Sequence, residues 1–210
     1  MKCQGRIVIH IAVLKHPFLH QGGDGYVIHE HSGHQLSIAV FDGLGHGERA
    51  VCAAEAFRDI CMNAPSYEPH RLLAFAHPHM RRTAGAACMV VNLDRKKRTA
   101  SYAGIGNISM FFGNQDQMKW RTGNSGILGY RQIHIREMSF PWEDGDVLIL
   151  HTDGLRKEGM KHLLHHNRSP SELAKVICEH QYSGQDDALV LVCSVHAQRA
   201  VKVEEETIRA

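Results

Sequence analysis

The chain has no C-x-x-C pair among its six cysteines, no long hydrophobic run, little net charge and few aromatics. Each shortage removes a class of protein. Cys3, Cys52, Cys61, Cys88, Cys178 and Cys193 stand apart, most within apolar segments where a free thiol packs as a small hydrophobe, so a disulfide framework is not expected. Such usage fits a reducing, cytoplasmic compartment. No segment approaches the roughly 20 apolar residues needed to span a bilayer, so no membrane partner is expected. The apolar run from Ile7 to Leu14 is interrupted by His10 and followed by Lys15-His16-Pro17 without a small-residue cleavage site, which argues against a signal peptide. A net charge of +2 supplies no field that would demand nucleic acid. The short run Arg95-Lys96-Lys97-Arg98 reads as a hairpin turn in solvent.

What is there suffices for one core. At 210 residues and 43% hydrophobic, the sequence predicts a single domain over 1–197 and a short charged tail over 198–210, in which Glu204-Glu205-Glu206 frays. Strand-like, β-branched stretches cover Arg6–Val13, Tyr26–Glu30 and Gln35–Phe41. Past Gly47, the apolar spacing of Val51, Ala54, Phe57 and Ile60 or Cys61 predicts a helix over Glu48–Met62, stopped by Pro65. A second helix covers Glu68–Ala76, with Pro78 opposing any extension. Gly85–Leu93 and Arg98–Ala103 should pair across the Asp94–Lys97 turn. Ile108–Phe112, Gln117–Arg121, Ile133–Met138, Val147–His151 and Ala188–Val195 complete the strands. Ser169 as N-cap, Pro170 at the first position and Glu172 in the capping-box position start a third helix. This order predicts an α+β sandwich of mainly antiparallel sheets flanked by helices, rather than a βαβ repeat.

Four strand-like runs meet an aspartate: Gly22-Gly23-Asp24-Gly25, Phe41-Asp42-Gly43-Leu44-Gly45-His46-Gly47, His151-Thr152-Asp153-Gly154 and Gln185-Asp186-Asp187-Ala188. Aspartate is a poor strand former and is costly to bury unpaired, so four at strand edges point to a carboxylate-lined cation site. Hard oxygen donors without an ordered His/Cys set suit Mg²⁺ or Mn²⁺ rather than zinc. Taken singly, Asp-Gly pairs are ordinary turns. The glycines at 43, 45 and 47 sit between a strand and a helix, but the third arrives one residue early for a dinucleotide fingerprint. The paired histidines His29/His31, His77/His79 and His165/His166 read as solvated side chains, and Trp120 and Trp142 as core or edge packing.

The ordered set Gly23-Asp24, Asp42-Gly43-Leu44-Gly45-His46-Gly47, Gly85-Ala86-Ala87, Tyr102-Ala103-Gly104-Ile105-Gly106-Asn107, Thr152-Asp153-Gly154-Leu155 and Asp186-Asp187-Ala188 resembles the metal-dependent PPM (PP2C-type) serine/threonine protein phosphatases, in particular their small SpoIIE-like bacterial members. The resemblance runs from about Ile7 to Val195 and implies the PP2C sandwich. It also implies two Mn²⁺ or Mg²⁺ ions, with Asp42 bridging both, the Gly43 carbonyl on the first, and Asp153 and Asp186 on the second. Asp24 would be a direct ligand or would hold metal-bound waters, and a hydroxide held between the ions would attack phosphorus in line. Asp187 reads as a supporting acid rather than a ligand. The implied substrate is a phosphorylated signalling protein, of stressosome or anti-sigma antagonist type.

Three positions depart from the family pattern. Phe18-Leu19-His20-Gln21 precedes the first motif where relatives place a phosphate-binding arginine, leaving Arg6 or Lys15 as substitutes. Leu44 stands where many relatives offer a histidine, so His46 becomes the candidate general acid. Arg156-Lys157 stands where a third metal would need an acid. A non-catalytic docking module on the same fold is the alternative reading.

Overall fold

The computed structural model describes residues 7–16, 22–114, 116–163, 168–197 and 203–207. Two sheets are stacked face to face. One has five strands, β2 (Asp24–Ser32), β3 (Gln35–Gly43), β4 (Ala86–Asp94), β5 (Thr99–Ile105) and β8 (Met138–Pro141), in the order β2-β3-β4-β5-β8. The other has six, β1 (Ile7–His16), β6 (Ser109–Gly113), β7 (Lys119–Thr122), β9 (Val147–His151), β10 (Ala188–Ala197) and β11 (Val203–Thr207), in the order β11-β1-β10-β9-β6-β7. Every described pairing is antiparallel except β1 with β11.

Alternation decides which side each residue serves. Leu36, Ile38 and Val40 of β3 face Ile11, Val13, Leu189 and Leu191 of the other sheet, forming the inter-sheet core. The opposite face of the five-stranded sheet, with Ala39, Phe41, Cys88 and Val90, is covered by α1 (Glu48–Asn63) and α2 (Pro69–His79). Helix α1 buries Ala50, Ala53, Ala54, Phe57 and Cys61, a stripe at three- and four-residue spacing, and Phe57 meets Phe41 edge-on at 5.1 Å. Helix α3 (Pro170–Gln181) covers the other sheet through Leu173, Ala174 and Ile177. It opens on a complete capping box between Ser169 and Glu172. The fold is the α+β sandwich that the strand and helix order implied.

Four details differ from the sequence reading. Pro78 lies inside α2, because it forfeits a single amide donor one residue before the helix ends. The alternating stretch 132–137 forms no ladder; Ile133 and Ile135 lean on the helix-side core, and the strand begins at Met138. Arg95 is buried, its guanidinium paired with Glu30, while Asp94 Oδ1 caps the turn by accepting from the amides of Lys96 and Lys97 at 2.9 and 2.8 Å. The charged end, expected to fray, supplies β11, paired in parallel from Ile11 with Val203 to Lys15 with Thr207. Cys52, Cys61, Cys88, Cys178 and Cys193 are free thiols; Cys3 lies outside the described residues. Among the described residues no helix is long and apolar enough to cross a membrane.

Candidate metal centre

The aspartates gather at one end of the two sheets because the strands that carry them end or begin there. Asp24 opens β2 and stands directly across the ladder from Asp42, near the end of β3. Thr152 and Asp153 follow β9, and Asp186 and Asp187 precede β10, the neighbour of β9 in the second sheet. Thr152 joins the two sheets. Its hydroxyl donates to Asp24 Oδ2 at 2.7 Å and accepts from the Leu189 amide at 2.9 Å, while its own amide donates to the Leu189 carbonyl at 3.1 Å. Asp187 makes a second crossing, its Oδ2 accepting from the Gly23 amide at 3.0 Å.

Burial and crowding govern the charge. Asp24 is 3% exposed, and burial, reinforced by Asp42, pushes its carboxyl well above the usual range against the Thr152 hydrogen bond. Asp42 is pushed up to about 7, first by burial and then by Asp153, Asp186 and Asp187. Asp153 is raised by burial and by Asp186, opposed in part by the Asn107 amide, which donates to its Oδ2 at 2.6 Å. Asp186 is exposed, and its Oδ1 accepts from the Asp187 amide at 2.8 Å. Carboxyl groups therefore crowd together here at a cost to their ionised forms, opposed at Asp24 in part by the Lys15 ammonium.

Glycine lets the strand ends pack closely around these carboxylates. A Cβ on Gly23 would stand 2.8 Å from the Gly43 carbonyl oxygen, 2.9 Å from the Ala50 methyl and 3.2 Å from Asp42 Oδ1. On Gly43 itself a Cβ would lie 2.0 Å from the Ala50 carbonyl, and on Gly154 one would lie 1.9 Å from that of Asp187. Among the described residues no three His, Cys, Asp or Glu side chains close around a single point. The hard oxygen donors and the crowding of their carboxylates fit a divalent cation, with Asp24, Asp42, the Gly43 carbonyl, Asp153 and Asp186 as the available donors.

The structure thus brings together four of the aspartates singled out by sequence. His46 is different: it lies exposed between β3 and α1 and makes no hydrogen bond to the cluster among the described residues. Lys15 donates through its ammonium to the Asp24 carbonyl, and Arg6 lies outside the described residues. Sequence reasoning gave no role to Thr152 or Asn107, although both sit inside quoted motifs; a hydroxyl or amide next to a motif aspartate was the available signal. The histidines are not simply solvated. His29 and His31 pack on Tyr67 at 4.4 and 3.9 Å, and His77 Nδ1 accepts from the Gly129 amide at 3.1 Å. His165 and His166 lie outside the described residues. Trp142 is buried in the core, whereas Trp120 is 37% exposed on β7.

Known proteins share this fold. The sequence profile of the Stage II sporulation protein E (SpoIIE) family matches residues 32–196. Phosphoserine phosphatase RsbX of Bacillus subtilis (strain 168) is 24% identical over 154 residues, which cover 73% of this chain and 77% of RsbX. The crystal structure of RsbX in complex with magnesium superposes with a TM-score of 0.79 at 22% identity, covering 87% of this chain and 93% of that one. The PP2C phosphatase domain of SpoIIE from Bacillus subtilis, solved with a fragment of its regulatory domain, gives 0.69 at 20% identity, covering 91% and 64%. At such identities the superpositions establish a common fold, and the profile match over most of the length establishes kinship: the chain belongs to the SpoIIE family, with the PP2C-type fold.

Proposed function

We propose that the chain is a divalent-metal-dependent phosphatase of phosphoserine or phosphothreonine in a signalling protein, one domain over 1–197, working in the cytoplasm. The observation that carries this reading is the convergence of Asp24, Asp42, Asp153 and Asp186 on one end of the sandwich, with Asp42 pushed up to about 7 by burial and then by its acidic neighbours. Kinship with RsbX supports the substrate class, and the free described thiols support the compartment.

Two ions, Mn²⁺ or Mg²⁺, would be held by Asp24, Asp42, the Gly43 carbonyl, Asp153 and Asp186. When bound, they would supply positive charge for the phosphate and an acidified water as nucleophile. The residues do the rest. Thr152 and Asn107 fix the carboxylates of Asp24 and Asp153, so the donors are oriented before a cation arrives. Gly23 and Gly43 let the strand ends and α1 approach one another closely. His46, exposed in the loop between β3 and α1, would give a proton to the departing seryl oxygen. The phosphorylated partner is of stressosome or anti-sigma antagonist type.

Hydrolysis of p-nitrophenyl phosphate tests this reading. Turnover should require Mn²⁺ or Mg²⁺ and vanish in Asp42→Ala. Metal-independent turnover, or an Asp42→Ala variant as active as wild type, would contradict it. If the protein hydrolyses neither this ester nor any phosphopeptide yet still binds a phosphoprotein, the docking-module alternative holds instead.

A further inference from the structure

A phosphate gripped by metal ions carries no information about the protein around it, so discrimination among phosphoproteins must come from surface next to the centre. One such surface leads away from Asp153. A cavity of about 390 Å³ is lined by Asn107, Trp120, His151, Asp153, Arg156 and Lys157, among others. A second, of about 260 Å³, shares Trp120 and Lys157 with it and reaches Lys161. The two form one groove on the outer face of β6, β7 and β9.

Its chemistry is one-sided. Arg156, Lys157 and Lys161 are exposed along it, against Glu158 and the metal-site Asp153. The Arg156 guanidinium donates to the Tyr182 carbonyl at 3.4 Å. Trp120 stands on the edge strand β7, its indole donating to Ser109 Oγ at 3.3 Å, and the Lys157 ammonium lies 4.5 Å from its ring centroid. An exposed tryptophan beside cations is the residue type that anchors protein interfaces.

We propose that this groove docks an acidic segment of the substrate protein adjoining its phosphorylated serine or threonine. Carboxylates of that segment meet Arg156, Lys157 and Lys161, and an apolar or aromatic side chain rests on Trp120. Opposite charges here orient the chain and set its register, and they offset the repulsion that the aspartate-rich centre exerts on an acidic partner. The inference rests on the phosphatase reading.

The test compares two phosphoserine peptides on one metal-loaded protein, identical except for glutamates or lysines flanking the phosphoserine. Because the ratio of their kcat/KM values is taken on the same protein, any general defect of a variant cancels. Wild type should favour the acidic peptide about tenfold, as a few exposed ion pairs provide, mainly through KM and less at high salt. The double variant Arg156→Glu/Lys157→Glu should abolish or invert that preference, and Trp120→Ala should raise KM for the acidic peptide. Equal kcat/KM for the two peptides, or a preference that survives charge reversal, would overturn the proposal. If wild type hydrolyses neither peptide, the phosphatase reading fails separately. Fluorescence anisotropy of the same labelled peptides then decides docking: tighter binding of the acidic one, lost on charge reversal, supports it, and equal binding overturns it.

Discussion

Thr152 carries more of the centre than its size suggests. Its hydroxyl is the hydrogen-bond partner of the buried Asp24 carboxyl and also satisfies the Leu189 amide, so Thr152→Val should strip both and cost about 1–3 kcal/mol of stability. Thr152→Ser should keep both bonds. The readout that separates positioning from mere folding is Mn²⁺ affinity, measured as the rise in thermal midpoint with added metal: weakened in the valine variant and retained in the serine variant. Asp42 gives a pH signature. Its folded pKa is raised from 3.8 to about 7, so between those values the folded protein holds a proton that the unfolded chain has released. Stability of the metal-free protein from this group therefore falls as pH rises through that window. Asp42→Asn should flatten the decline in thermal midpoint, and divalent metal should stabilise wild type more at its upper end than at its lower end. His46→Ala should slow phosphoserine hydrolysis about 100-fold while affecting p-nitrophenyl phosphate far less, because only the seryl oxygen needs a proton to leave.

At the scale of elements, α1 sits against the end of β3 with no slack. A methyl on Gly43 would lie 2.0 Å from the Ala50 carbonyl, so Gly43→Ala must push the helix away; a loss of about 1–3 kcal/mol is expected in chemical denaturation, with metal binding impaired. Far from the site, Ser169→Ala should cost about 1 kcal/mol through the α3 capping box and leave turnover intact. These two elements were readable in advance because their signals are local: the α1 stripe, and Ser169-Pro170-Ser171-Glu172 before α3. The misreadings share an opposite origin. Ile133 and Ile135 alternate like a strand, but alternation reports a half-buried face and not a ladder partner, which lay elsewhere at Met138–Pro141. Arg95 reads as a solvent residue until Glu30, on another strand, folds over to meet it. Val203–Thr207 pairs with β1, nearly 200 residues away in sequence, and nothing local announces that.

On the scale of the whole molecule, two sheets serve one centre. The five-stranded sheet brings Asp24 and Asp42, the six-stranded sheet brings Asp153 and Asp186, and Thr152 and Asp187 bond across the junction. The aspartates were legible because each is costly at a strand edge; the bonds of Thr152 and Asn107 were not, since they depend on which strand ends meet. The direct test is phosphate release from a phosphoserine peptide by metal-stripped protein titrated with Mn²⁺, beside a folded Asp153→Ala variant. The account predicts no release without metal, recovery on titration, and none from the variant. Release without metal, or from Asp153→Ala at the wild-type rate, would contradict it.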